Sequence, residues 1–211
     1  MKISIIGAGI GGLAAACLLA KQGHDVQVFE KNNRVGGKMN QVITNEFRFD
    51  TGPSLITMPH ILEKLFDACD CRLNDHLELL PLAPICRYFY KDGTRFDCFA
   101  DLDRTVAEIN KFAPHDALPY TQFLDYSATL FRKTANAFIY NPLFSWQDVR
   151  NLNLLSILSI DAFSTVAKRV DSSFESEYLR KFFKRFTTYN GSSPYLAPAT
   201  LNAIPHDELN L

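Results

Sequence analysis

Lys2-Ile3-Ser4-Ile5-Ile6-Gly7-Ala8-Gly9-Ile10-Gly11-Gly12 is the stretch on which the reading of the fold turns. A short β-branched run enters a cluster of glycines, and an Ala- and Leu-rich segment follows from residue 13 to residue 22. β-Branched side chains favour strands and Ala and Leu favour helices. Gly23 sits where a helix end takes a left-handed residue. Residues 25–30 then return with Val26 and Val28 alternating against polar positions. The pattern predicts a strand, a glycine turn, a helix and a second, parallel strand within about thirty residues, the length such a crossover needs.

Gly7, Gly9 and Gly12 carry the spacing G-x-G-x-x-G. In such a turn the first glycine permits the tight bend and the second lets a pyrophosphate approach the backbone. The third lets helix and strand pack closely, while the helix N-terminus offers free N–H groups and a partial positive charge. Glu30 ends the second strand, 18 residues after Gly12. A carboxylate there accepts hydrogen bonds from ribose hydroxyls and disfavours a 2′-phosphate, so the pattern points to an adenine dinucleotide with a plain ribose. Gly7, Ala8, Gly9, Gly11, Gly12, Glu30 and the adjoining Lys31 are the candidate binding residues of this first motif.

The chain has 211 residues, 47% hydrophobic and 21% charged, with a net charge of −1, values that exclude disorder, collagen and coiled coil and argue against a nucleic-acid partner. The most apolar piece, residues 152–167, is broken by Asn153, Ser156, Ser159 and Asp161, short of a membrane span. Cys17, Cys69, Cys71, Cys86 and Cys98 are odd in number and lack a C-x-x-C pair, which suits reduced thiols and a cytoplasmic location. The histidines are scattered, and no metal site is expected. His60, His115 and His206 are candidates for proton transfer by residue type alone, and no catalytic residue is assigned.

Farther on, Pro59 with Ile61, Leu62, Leu65, Phe66 and Cys69 predicts a helix, and residues 86–99 a hairpin with a tight type I′ turn at Asp92-Gly93. Helices are predicted over 102–112, 118–138, 152–170 and 174–187. In the last of these Phe174, Tyr178, Phe182 and Phe186 recur on one face beside Arg180, Lys181, Lys184 and Arg185. That face suits packing on a core first, with the lining of an apolar channel or contact with a membrane surface as the alternative. Phe138, Ile139, Tyr140, Leu143, Phe144 and Trp146 offer the same alternatives.

Three further strings narrow the reading: Arg34-Val35-Gly36-Gly37-Lys38, Phe49-Asp50-Thr51-Gly52-Pro53-Ser54, and Tyr189-Asn190-Gly191-Ser192-Ser193-Pro194-Tyr195 leading into Ala197-Pro198-Ala199. Together with the glycine turn they resemble the phytoene desaturase-like branch of the FAD-dependent amine oxidase superfamily, over essentially the whole chain. The resemblance implies FAD as cofactor and adds Arg34, Gly36, Gly37, Lys38, Gly52, Pro53 and Ser54 to its binding residues. Lys38 stands where many relatives carry arginine; it keeps the charge and loses the planar fork.

The implied fold is α/β: an FAD/NAD(P)-binding Rossmann-like βαβ head followed by a mainly helical substrate-domain insertion, with the sheet incomplete. The corresponding domains are 1–100, the first part of the FAD-binding domain with the hairpin, and 101–211, the helical part of the substrate domain. The implied activity is FAD-dependent desaturation of C–C bonds in a carotenoid or related polyene, within carotenoid biosynthesis. An apolar polyene drawn from lipid implies peripheral contact with the inner face of the membrane. Members of the family are much longer, so a chain ending at Leu211 is expected to be an N-terminal portion lacking a C-terminal half. A flavin amine oxidase and a non-catalytic remnant stay open as alternatives.

Overall fold

β1 (Lys2–Ile6) pairs in parallel with β2 (Asp25–Phe29), Ile3 lying opposite Val26 and Ile5 opposite Val28, and α1 (Ile10–Lys21) makes the crossover between them. The helix can pack this close to the strand because residue 12 has no side chain. A Cβ on Gly12 would stand 2.0 Å from the Gly7 carbonyl oxygen, backbone against backbone. The structure, a computed structural model, describes residues 1–53, 55–140 and 159–209. Ser54, Leu143, Phe144, Trp146 and the 152–158 portion of a predicted helix lie outside the described residues, as does the side chain of Phe138.

After β2 the chain forms a short antiparallel hairpin, β3 (Gln41–Ile43) with β4 (Arg48–Asp50), and then α2 (Pro59–Ala68). By their internal contacts the described residues divide into two compact units, Met1–Leu80 and Pro81–Leu211. The 86–98 hairpin therefore counts with the helices, whereas the sequence reading groups it with the head. In the first unit Ala8 and Leu73 are the buried apolar side chains among the described residues, and α1 buries none. Parallel sheets are ordinarily covered on both faces, and two strands cannot enclose an interior. Ile6 is accordingly 92% exposed.

In the second unit β5 (Cys86–Phe89) pairs with β6 (Arg95–Cys98), Arg87 bridging to Asp97 across the strands through two bonds of 2.7 and 2.8 Å. The connection differs from the predicted two-residue type I′ turn. Tyr90 N–H donates to the Thr94 carbonyl and Gly93 N–H to that of Tyr90, and in this loop only Gly93 has a positive φ. This is a longer turn closed by a glycine bulge, in which the Asp92 side chain accepts from Thr94 N–H at 3.0 Å.

The helices of this unit are α3 (Leu102–Asn110), α4 (Ala117–Ala135), α5 (Val166–Ser173), α6 (Glu177–Lys184) and α7 (Ile204–Leu209). A π turn, Asn136–Tyr140, extends α4. Among the described residues the helix predicted over 152–170 is interrupted: residues 159–164 are turn and bend, Asp161 has φ +55, and Thr165 caps α5 by accepting from Lys168 N–H. The helix predicted from residue 174 is likewise shorter. Phe174 is extended, Ser176 caps α6, and Arg185–Asn190 tightens into a 3-10 helix.

The aromatic face over 174–186 is core. Phe174, Phe182 and Phe186 are buried, and the Phe182 ring lies 5.1 Å from Tyr88, 5.2 Å from Phe96 and 4.9 Å from Phe183. Tyr178 packs on Tyr90 and Phe112. Ahead of α6, the buried carboxylate of Asp116 accepts from Glu175 N–H at 3.0 Å and Ser176 N–H at 2.7 Å. Bonds to a charged acceptor contribute about 1.5–3 kcal/mol each. Asp116→Ala is expected to lower unfolding stability by about 3 kcal/mol, and Asp116→Asn by less, read as the shift in urea midpoint.

Candidate dinucleotide site

Three motif segments of the first unit meet at one residue, Ala8. Ala8 N–H donates to Glu30 Oε2 at 2.8 Å, and the Ala8 carbonyl accepts from Gly36 N–H at 2.7 Å. Gly7 N–H donates to the Phe29 carbonyl at 2.7 Å, and Gly9 and Gly36 form a parallel bridge. The glycine turn, the end of β2 and the Arg34–Lys38 string are thus brought together, and with them Gly7, Ala8, Gly9, Glu30, Gly36 and Gly37. Asn32, which the sequence reading passed over, donates to Glu30 Oε1 through its backbone at 2.9 Å and its side chain at 2.8 Å. A carboxylate has about four acceptor positions, so these three bonds leave about one for an incoming hydroxyl. A second hydroxyl would displace the Asn32 amide.

The glycines sort by what surrounds them. Gly52 is required by the protein itself, since its Cβ would lie 1.9 Å from the Lys38 carbonyl oxygen, and Gly36 holds φ +112. Gly9 and Gly11 are different. A Cβ on Gly11 meets nothing within 4 Å, and one on Gly9 meets only Gly37 Cα at 3.9 Å. Neither glycine has a positive φ. Gly9 is also the cap of α1 and supplies no side-chain acceptor, so N–H groups of the first turn stay available to an anion. Packing does not demand glycine at 9 and 11, and their missing side chains leave the space before the N-terminus of α1 open. The residues present fit a dinucleotide diphosphate.

A cleft of about 650 Å³ adjoins this point, lined by Asn33, Arg34, Val35, Met39, Asn40, Gln41, Arg48, Asp50, Gly52 and Pro53. Arg48 and Asp50 enter it from β4, a strand the sequence reading missed; Asn45 in the intervening turn was its one local signal. Lys31, Arg34 and Lys38 are exposed and, among the described residues, make no ion pair. Of the histidines considered by type, His115 lies 3.7 Å from Glu175 and His206 packs its ring on Phe131, both in the second unit, while His60 opens α2 in the first.

The bonds from Asn32 N–H and then Ala8 N–H hold the Glu30 carboxyl below the ordinary glutamate value of 4.5. A lowered folded-state pKa means that the tie is present above the unfolded value and lost as pH falls through the folded one. The Ala8 and Asn32 amide resonances are therefore expected to titrate together with a midpoint below 4.5, and Glu30→Gln to abolish that step.

The family model for an NAD(P)-binding Rossmann-like domain matches residues 5–71. The chain is 37% identical to a 4,4'-diapolycopene oxygenase of Methylomonas sp. over 97% of its own length and 42% of that protein's. It is 34% identical to a 1-hydroxycarotenoid 3,4-desaturase of Flavobacterium sp., covering 100% of this chain and 43% of the relative. Among solved structures, cyclohexylamine oxidase from Brevibacterium oxydans is similar with a TM-score of 0.54 at 24% identity, covering 98% of this chain and 41% of that one. The chain spans about two-fifths of the length of the curated relatives it matches. Nearly the whole chain is thus similar to the N-terminal portion of carotenoid desaturases and oxygenases, and its fold to that of the amine oxidases.

Proposed function

We propose that this chain forms the dinucleotide-binding front part of an FAD-dependent oxidoreductase that desaturates C–C bonds of a carotenoid-type polyene. The observation that carries the reading is the convergence on Ala8 of the glycine turn, Glu30 and the Gly36 backbone. The likeness to carotenoid desaturases and oxygenases along nearly all of the chain supports a polyene as substrate class.

In this reading Gly9 and Gly11 give the diphosphate its approach to the N-terminus of α1, with Gly7 and Gly12 shaping the turn and Glu30 holding the ribose. Gly36 and Gly37 bring the backbone beneath the dinucleotide. Lys38, Lys31 and Arg34 add positive charge around it, and Gly52 and Pro53 line the adjoining cleft. The bound flavin supplies the two-electron acceptor that desaturation requires. The chain's own part is to bind and orient, and no side chain described here is assigned as a base. A polypeptide equivalent to the rest of the relatives' length would complete the substrate wall, with the protein working at the cytoplasmic face of a membrane, where polyenes dissolve.

The test is a titration of FAD into the purified chain, followed by quenching of flavin fluorescence, with NAD and NADP as competitors. Losing a bond to a charged acceptor costs about 1.5–3 kcal/mol, so Glu30→Ala is expected to weaken binding by about tenfold or more. Gly9→Val is expected to do the same by blocking the diphosphate while leaving the fold intact. Unchanged FAD affinity in Gly9→Val, or displacement of FAD by NADP, would sink the cofactor assignment. For the substrate, co-expression with the remaining portion of a curated relative in cells that make phytoene should convert phytoene to a coloured polyene; persistence of phytoene beside a flavin-loaded protein would refute the substrate class alone.

A further inference from the structure

Asn32 stands in the exposed bend after β2, and its side-chain amide is held in one orientation. Its backbone N–H donates to Glu30 Oε1 at 2.9 Å and its Nδ2 to the same oxygen at 2.8 Å. An ionised carboxylate only accepts, so the NH2 side of the amide faces Glu30 and the carbonyl side faces away. Among the described residues, Asn32 Oδ1 accepts no hydrogen bond.

The two oxygens of Glu30 are unequally used. Oε2 takes Ala8 N–H at 2.8 Å, while Oε1 takes both donors of Asn32. With about two acceptor positions on each oxygen, Oε1 is full and Oε2 has room for one more donor. A ribose edge presents two neighbouring hydroxyls. If both went to Glu30, one would push aside a bond that fixes the carboxylate. If one goes to Glu30 Oε2 and the other to Asn32 Oδ1, all three bonds survive. The path between these two free acceptors runs through a single hydrogen bond of 2.8 Å, Asn32 Nδ2 to Glu30 Oε1. Two adjacent acceptors suit a ligand with two adjacent donors, and they oppose a phosphate ester, which brings only acceptors.

We propose that Asn32 is a specificity-determining residue of the dinucleotide site: its side-chain carbonyl accepts one hydroxyl of the adenosine ribose while Glu30 accepts the other, so that the pair selects an intact vicinal diol. The proposal rests on the reading of this unit as a dinucleotide site and adds a contact that the glycine motif does not contain. The competing arrangement, in which the ribose displaces the Asn32 amide from Glu30, has the opposite consequence, because removing the amide would then ease binding.

The experiment is competition against FAD on the purified chain by ADP, 2′-deoxy-ADP and 3′-deoxy-ADP, read as recovery of flavin fluorescence. A site built to bond a hydroxyl rejects the analogue that lacks it. Both deoxy probes are therefore expected to bind wild type more weakly than ADP, by about threefold to tenfold for the hydroxyl on the neutral carbonyl and by more for the one on the carboxylate. Asn32→Ala is expected to weaken FAD and ADP by about threefold to tenfold and to erase discrimination against one deoxy probe while keeping it against the other. Asn32→Leu, similar in bulk and without an acceptor, should lose the same discrimination; the position is exposed, so both variants should melt as folded proteins. Asn32→Ala binding FAD as tightly as wild type, or more tightly, would overturn the proposal. So would an equal loss for ADP and both deoxy probes, the result of a purely structural role. A wild-type chain that takes up neither FAD nor ADP would overturn the dinucleotide reading together with this inference, whereas FAD bound with discrimination unchanged in the variants would overturn this inference alone.

Discussion

Ala8 is gripped through both of its flanking peptide groups, its N–H by the Glu30 carboxylate and its carbonyl by Gly36 N–H. A run of glycines is the costliest kind of backbone to order, because each loses more conformational freedom than any other residue. Here that cost is met by hydrogen bonds from segments 22 and 28 residues away along the chain. One of the acceptors is charged, which strengthens the bond. The consequence is a turn and a carboxylate held in register by the chain's own hydrogen bonds.

The two units solve the problem of burial differently. The first has a short parallel pair, a helix with no buried residue and a hairpin of three-residue strands, so its order rests on backbone hydrogen bonds and close glycine contacts. The second has a continuous aromatic core in which Phe182, Phe183, Phe96, Tyr120 and Phe123 meet edge-on and tilted, the arrangements aromatic rings prefer. Its polar ties sit at the margin of that core. Arg185 reaches both Tyr88 and Glu208, and Tyr189 donates to the same glutamate. Tyr189 opens the third motif of the resemblance, yet its hydroxyl serves to fasten α7.

Much of the head was legible because its signals are local. A β-branched run, a glycine turn, an Ala/Leu helix and Gly23 each act within a few residues, and they agree. The β3–β4 hairpin was not legible, since three-residue strands are too short to display alternation. Thr165 and Ser176 were overlooked as caps inside apolar runs that read as longer helices. Asp92-Gly93 correctly marked a turn, but the pairing of Tyr90 with Thr94 set its length, and that depends on strand register.

By itself, the sequence determined the βαβ crossover, the glycine motif with its carboxylate, and the likeness to carotenoid desaturases, because these depend on spacing along the chain. Only the tertiary structure decided which way the aromatic face of residues 174–186 points. A period of four is the same for a core, a channel or a membrane surface, and neighbours from β5, β6 and α4 made it core. It also decided which glycines the protein needs for its own packing and which it leaves open, since a clash is a distance between atoms remote in sequence. The exposure of Phe163, Tyr195 and Leu196 came to light for the same reason: burial belongs to the folded surroundings of a residue and not to its type.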